Sequence, residues 1–477
     1  MLIKPGKLWS NQLGNQKLQV SGVCDARSLQ DVQAAIAYAK QHNVAVKAVG
    51  AGHAWSDVAL TEGIVIETRK LNALLDIDCA KATANVGTLF RAQAGILLKK
   101  VNQILEKRGQ MLENMGGWDA QTLAGVISTS THGSGITYGP MSDQVVSLDI
   151  INTDGSLVRI EPHNGPTDPE QYAATYPNNE LIQDDSYFDA LRVGLGSAGI
   201  IYSVTIAVRP FRYLREERTL VAWSVVQQGI ADTSLLTKND HVEVYLNPYH
   251  LKPESLCLVT ARNYTSQKPP LFSHRNLFAE LFGYLHPLTS RLMCGVMNTW
   301  PKLAPKIIAT ALKSLVRKKY VDKPYKVHNL GSANRMPGYS LSIGVALQPA
   351  SAALAAVQAV HDVTLENAQR NIVTVSPICL RFVKASTAYL SMAEGRDTMM
   401  IELANLKGIK NGHRLLEAYE KRLYAAGGRP HWGKYNVITH EQVKALYPKF
   451  PEWQTIVTTF NQGDDLLRSP FSTRVGI

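Results

Sequence analysis

The sequence predicts an α+β chain in three parts, bounded at residues 1–210, 211–428 and 429–477. Three observations lead there. Over the first 210 residues, short apolar strands alternate with amphipathic helices. From about Phe211 to Gly428 the pattern becomes a sheet with flanking Ala- and Leu-rich helices. Glycine is concentrated in four segments, three in the first part and one just after residue 428.

The elements follow in order. Ser28-Leu29-Gln30-Asp31 has the form of a capping box, and Leu29, Val32, Ile36 and Ala39 continue at helical spacing. Residues 44–49 form a strand that runs into Gly50-Ala51-Gly52. Further strands are expected over 64–67 and 81–86, then a helix over 88–108 capped by Gly109. Residues 145–151 and 157–160 read as a hairpin around Thr153-Asp154-Gly155-Ser156. A strand over 200–208 is closed by Pro210. In the second part, helices are expected over 272–319, a strand over 339–347, a helix over 351–371 and a strand over 372–383.

Composition narrows the function classes. The 477 residues, 45% hydrophobic and 19% charged, describe a folded chain long enough for two to four domains. The five cysteines are scattered and form no C-x-x-C, which argues against a zinc ribbon or a dithiol site. No metal site is expected. The odd cysteine count and a start without an apolar leader point to the cytoplasm. The net charge of +11 is mostly local: residues 302–326 hold eight Lys and Arg against Asp322 alone. That segment reads as a solvated helix face. With Leu281, Phe282, Leu285, Leu288 and Leu292 before it, it also reads as a peripheral contact with anionic lipid. Nucleic acid is not an expected partner, because zinc ligands, a helix-turn-helix pattern and an aromatic RNA-binding strand are all missing.

The four glycine segments carry the chemistry. They are Gly50-Ala51-Gly52-His53-Ala54-Trp55-Ser56-Asp57, residues 116–135, residues 194–201 and Arg429-Pro430-His431-Trp432-Gly433-Lys434. A Gly-x-Gly turn after a strand can aim its N–H groups at an anion such as a pyrophosphate. Residues 194–199 match G-x-G-x-x-G, but residues 200–208 alternate as a strand where a dinucleotide fold needs a helix. A nicotinamide-type site is therefore excluded.

Gly-Ala-Gly-His-Ala-Trp-Ser-Asp at 50–57, Gln121-Thr122-Leu123-Ala124-Gly125 and Thr131-His132-Gly133-Ser134-Gly135 together resemble the FAD-binding domain of the vanillyl-alcohol oxidase superfamily. His431-Trp432-Gly433-Lys434 is similar to its aldonolactone and alditol oxidase branch. The resemblance implies a two-part FAD-binding domain over 1–210, a cap with an antiparallel sheet over 211–428 and a C-terminal return to the FAD domain. It implies FAD bonded through His53, with a single link because no cysteine lies near Gln121–Ser134. It places Gly50, Ala51, Gly52, Ala54, Ser56, Gly116, Thr122, Gly125, Ser128, Thr131, Gly133, Gly199 and Ile200 along the cofactor. His132 and Ser134 would lie near the flavin, Ser134 facing a substrate hydroxyl. Lys434, with His431 beside it, would stand near the flavin carbonyl or the substrate, and Arg381 would orient the substrate.

Two departures qualify the resemblance. The branch carries Glu-x-Arg on a cap strand, where this chain has Cys379-Leu380-Arg381. It carries a second glutamate where this chain has Ser342. A thiol is a weak hydrogen-bond acceptor, so Cys379 does not replace a carboxylate. The expected activity is hydride removal from a hydroxyl-bearing carbon of a small molecule. Dioxygen or another acceptor, such as a quinone or carrier protein at a membrane, would follow, and the substrate is expected to have drifted from sugars. The base stays unassigned.

Overall fold

The computed structural model describes residues 3–270, 286–331 and 337–477. Three sheets carry the chain. The first has four strands in the order Ile3–Pro5, Gly22–Asp25, Ile64–Glu67, Val46–Val49, the last three parallel. Helix Leu29–Gln41 covers it and opens with the expected capping box between Ser28 and Asp31. The second has six strands in the order Glu180–Gln183, Leu157–Glu161, Val145–Ile151, Ile200–Ala207, Leu89–Gln93, Leu74–Leu75. The hairpin around Gly155 lies at its centre.

Two expectations for this region are corrected. Residues 81–86 form turns, not a strand; they are mostly exposed, and no neighbouring strand pairs with them. The helix expected over 88–108 begins only at Leu98. Leu89–Gln93 is a strand because Phe90 and Ala92 are buried at a period of two. Gly95 then brings the backbone so close to Thr68 that a Cβ would stand 1.8 Å from its carbonyl oxygen.

The third sheet has eight strands, all pairs antiparallel, in the order Arg317–Asp322, Tyr213–Ala222, Leu256–Thr265, His241–Leu246, Ile378–Val383, Thr398–Leu406, Gly338–Ala346, Arg429–Pro430. One face is apolar: Val242, Val244, Leu341, Ile343, Leu380, Phe382, Ile401 and Leu403 are buried there. Helices Trp223–Ala231, Ala350–Ala368 and Gly412–Ala425 share that core. Alternation turns the intervening residues to the opposite face, among them Glu243, Arg381, Glu402 and Ser342. Of the helices expected over 272–319, His286–Thr299 and Ala304–Ser314 are present, residues 271–285 lie outside the described residues, and 317–322 form a strand. Lys319 and Arg317 on that strand blunt an exposed edge.

The last residues run back onto the first part. Trp453 donates to the Ala190 carbonyl, Asn461 to that of Ser197, and the Val46 N–H to that of Leu466. All five cysteines are buried and unpaired. Among the described residues, no helix is long and apolar enough to cross a membrane.

Candidate active site

The glycine segments meet along one long cavity, and the polar face of the eight-stranded sheet closes its far end. Strand Val46–Val49 delivers Gly50, Ala51, Gly52, His53 and Ala54 to one wall. Gly50 admits no side chain, since a Cβ would stand 2.0 Å from the Thr122 hydroxyl. Gly116, Thr122, Gly125, Ser128, Thr131 and His132 form the second wall, and Gly199 and Ile200 the third. Gly199 has φ +82, a conformation that favours glycine. The strand Ile200–Ala207 follows directly, so no helix follows the G-x-G-x-x-G.

Four of the candidates stand off the cavity wall. Ser56 donates to the Trp432 carbonyl and ties the first glycine turn to the C-terminal segment. Ser134 is wedged where two cap strands part: its hydroxyl donates to the Val242 carbonyl and accepts from the Phe382 N–H. It is thus committed to the sheet and not turned to a substrate. Gly133 is packed against Asn114. Cys379, beside Glu402 on the sheet, is buried and does not line the cavity, and burial pushes its thiol up.

Lys47, which the sequence reading passed over, also lines the cavity. It is 1% exposed, donates to the Leu195 carbonyl at 3.2 Å and forms no ion pair among the described residues. Burial pulls its ammonium down to about 8. A desolvated cation at a glycine-edged cavity suits an anionic ligand. His53, reached by the Trp118 indole N–H at 3.3 Å, is held neutral by burial, which is the nucleophilic form of imidazole. Gly50, Lys47 and His53 together fit FAD.

At the cap end the decisive residue is one the sequence reading missed. Glu402 sits on Thr398–Leu406, between the two strands that were expected to carry acids. It pairs in register with Cys379 on one side and Ser342 on the other. Paired residues share a face, so the carboxylate absent from both neighbours is supplied from between them. A lone Glu inside the run Met399-Met400-Ile401-Glu402-Leu403 was the available signal.

Arg381, 3.5 Å from Glu402, is the next link of a buried line of alternating charge. Glu243 stands 3.3 Å from Arg381, and Arg262 reaches Glu243 at 2.9 Å and Glu216 at 2.8 Å. Arg262 and Arg381 hold the Glu243 carboxyl well below its usual range. Lys434 lies with its ammonium 4.0 Å from the centre of the Trp55 ring. Burial pulls it down to about 8 against the opposing pull of Glu402. His431 and His132 lie with ring centres 5.5 Å apart, and burial keeps both neutral, His132 falling to about 4. Ser342 Oγ and His132 Nε2 are buried without a hydrogen-bond partner among the described residues, and His132 lines the cavity. An orphaned ring nitrogen on the cavity wall marks a place built for a polar ligand.

A family model described as FAD binding domain matches residues 20–161, and one described as D-arabinono-1,4-lactone oxidase matches residues 204–463. The second covers more than half of the chain. This chain belongs to the D-arabinono-1,4-lactone oxidase family. The family is one of FAD-dependent oxidoreductases, and the expected likeness to the vanillyl-alcohol oxidase superfamily holds. The L-gulono-1,4-lactone dehydrogenase of Mycobacterium tuberculosis is 26% identical over 453 residues, 94% of each chain. The L-gulonolactone oxidase of Bos taurus is 26% identical, covering 90% of this chain and 89% of its own. Among solved structures, a cholesterol oxidase from B. sterolicum superposes with a TM-score of 0.78 at 14% identity, over 99% of this chain and 97% of that one. That likeness speaks for the fold.

Proposed function

We propose that this oxidase-family chain holds FAD through a single bond to His53 and oxidises a hydroxyl-bearing carbon of an aldono-1,4-lactone. The observation that carries the reading is the Glu402–Arg381 pair at the cap end of the cavity, with the orphaned His132 Nε2 on the same wall. It supplies the hydrogen-bond acceptor and donors that recognise a polyhydroxylated ring, so the loss of glutamates at 379 and 342 does not imply drift from sugars. FAD, when bound, supplies the acceptor for a hydride from that carbon. Gly50 to Gly52, Thr122, Gly199 and Lys47 hold its polar length, and His53 anchors the ring. Arg381 orients the substrate by donating hydrogen bonds to its oxygens. Lys434 offsets negative charge that develops next to it.

Acid-denatured protein is expected to keep its yellow colour, and a denaturing gel to show a band fluorescent under ultraviolet light. His53→Ala should remove that fluorescence, and its persistence would sink the tether. Oxygen uptake compared with dye reduction on L-gulono- and D-arabinono-1,4-lactone then distinguishes an oxidase from a dehydrogenase. A second reading adds an anionic membrane surface. Leu288, Leu292 and Trp300 are 70%, 71% and 60% exposed next to Lys302, Lys306 and Lys313. Release from anionic vesicles by high salt supports it; no sedimentation with such vesicles at low salt refutes it.

A further inference from the structure

We propose that Glu402 is the proton acceptor of the reaction, a carboxylate displaced by one strand from the position where the family's pattern would put it. The inference rests on the lactone reading above and adds to it the base and the strand that carries it.

The geometry singles Glu402 out. Its strand lies between those of Cys379 and Ser342, and it lines the cavity while Cys379 does not. Among the other groups at that end, His132 keeps an unpartnered Nε2, but a proton there would add another buried positive charge beside Arg381 and Lys434. His132 Nδ1 lies 2.9 Å from the Gly133 carbonyl, and His431 Nδ1 accepts from the Gly433 N–H at 3.1 Å. Arg381 and Lys434 are cations, and Glu243 is locked between Arg262 and Arg381. The groups acting on Glu402 are Arg381, Lys434, His132, Glu243 and the thiol of Cys379. Arg381 and Lys434 together keep it ionised and proton-free at neutral pH. The side chain of Glu402 is 15% exposed, and that opening faces the cavity.

The step balances as follows. The O–H bond of the substrate breaks and its proton passes to a Glu402 carboxylate oxygen. The C–H bond on the same carbon breaks and its hydrogen leaves with both electrons to FAD, the oxidant. A C=O bond forms, and the proton on Glu402 returns to solvent. The carbon is oxidised by two electrons and the cofactor reduced by two.

The test uses the holoenzyme and two variants, Glu402→Gln and Glu402→Asp. Mixed anaerobically with L-gulono-1,4-lactone, Glu402→Gln should reduce its flavin at least 100-fold more slowly at pH 7, in line with losing a general base. Lactone binding, read from the flavin spectrum, should stay within about fivefold, and Glu402→Asp should recover part of the rate. The acid limb of the wild-type pH–rate profile should vanish in Glu402→Gln. A titration of the resting flavin spectrum without lactone should show an acid transition in the wild type that Glu402→Gln lacks. A Glu402→Gln rate within threefold of wild type, or an acid transition that survives in it, overturns the proposal. Wild-type protein that no aldonolactone reduces overturns the substrate reading, while the substrate-free titration still decides Glu402.

Discussion

Replacing Lys47 with Met should make the empty protein more stable and its hold on FAD weaker. The ammonium is buried without an ion pair among the described residues, only the more distant Asp57 opposing its charge, and it donates to the Leu195 carbonyl. Its titration falls from 10.5 to about 8 because burial disfavours the charged form. At about 1.36 kcal/mol per pH unit, that difference costs the folded state about 3 kcal/mol at pH 7. Met keeps the aliphatic volume and forfeits one hydrogen bond worth about 1 kcal/mol. The net expectation is about 2 kcal/mol of added stability at pH 7. The sign follows from proton counting: between about 8 and 10.5 the unfolded chain binds the proton and the folded chain does not. Wild-type stability therefore rises with pH across that window, and the advantage of Lys47→Met fades above it. The assay is urea unfolding of cofactor-free protein in a His53→Ala background, at pH 7 and above pH 10. In the same background, FAD titration by fluorescence should show binding weakened about tenfold or more, since the anion no longer finds its cation. A variant no more stable at pH 7, or one that binds FAD as tightly as its parent, refutes the reasoning.

Three further outcomes are expected. Arg262→Met leaves buried Glu216 with Arg218 and buried Glu243 with Arg381 and should cost up to about 3 kcal/mol in chemical denaturation, whereas an added Glu216→Gln should recover part of it. Burial pushes the Glu420 carboxyl up to about 7, although Tyr424 and the Val437 N–H both donate to it. Its folded value lies above its ordinary 4.5, so stability is lost as pH rises from 4.5 to about 7. Glu420→Gln should thus gain up to about 3 kcal/mol above pH 7 and nothing below pH 4.5, as read from thermal unfolding across that range. Lys434 loses its proton near pH 8, so lactone-driven flavin reduction should fall above that pH. Lys434→Arg, if it retains the reaction, should flatten the fall; an unchanged basic limb counts against Lys434 as the cation.

Local rules explain what was readable. The Ser28–Asp31 capping box, the Gly155 hairpin and the strand after Gly199 each follow from residues within a few positions of one another. Period-two burial was misread at Leu89–Gln93 because five residues joined to the following helix mimic helical spacing. The cap strands Tyr213–Ala222, His241–Leu246, Leu256–Thr265 and Thr398–Leu406 went unplaced, since their partners lie far away in the chain. Ser134 looked like a substrate contact from its motif. Its hydroxyl is instead used up at a gap between strands that only the assembled sheet creates.

By itself, then, the sequence determined the order of the glycine turns, the histidine behind the first of them, and the lysine after His431-Trp432-Gly433. Those are local features, set by backbone conformations that few residues other than glycine adopt. Only the tertiary structure decided where the acid stands. A one-strand displacement of a carboxylate leaves no trace in a linear motif. Cross-strand register restores it to the same face, between Cys379 and Ser342 and within reach of Arg381.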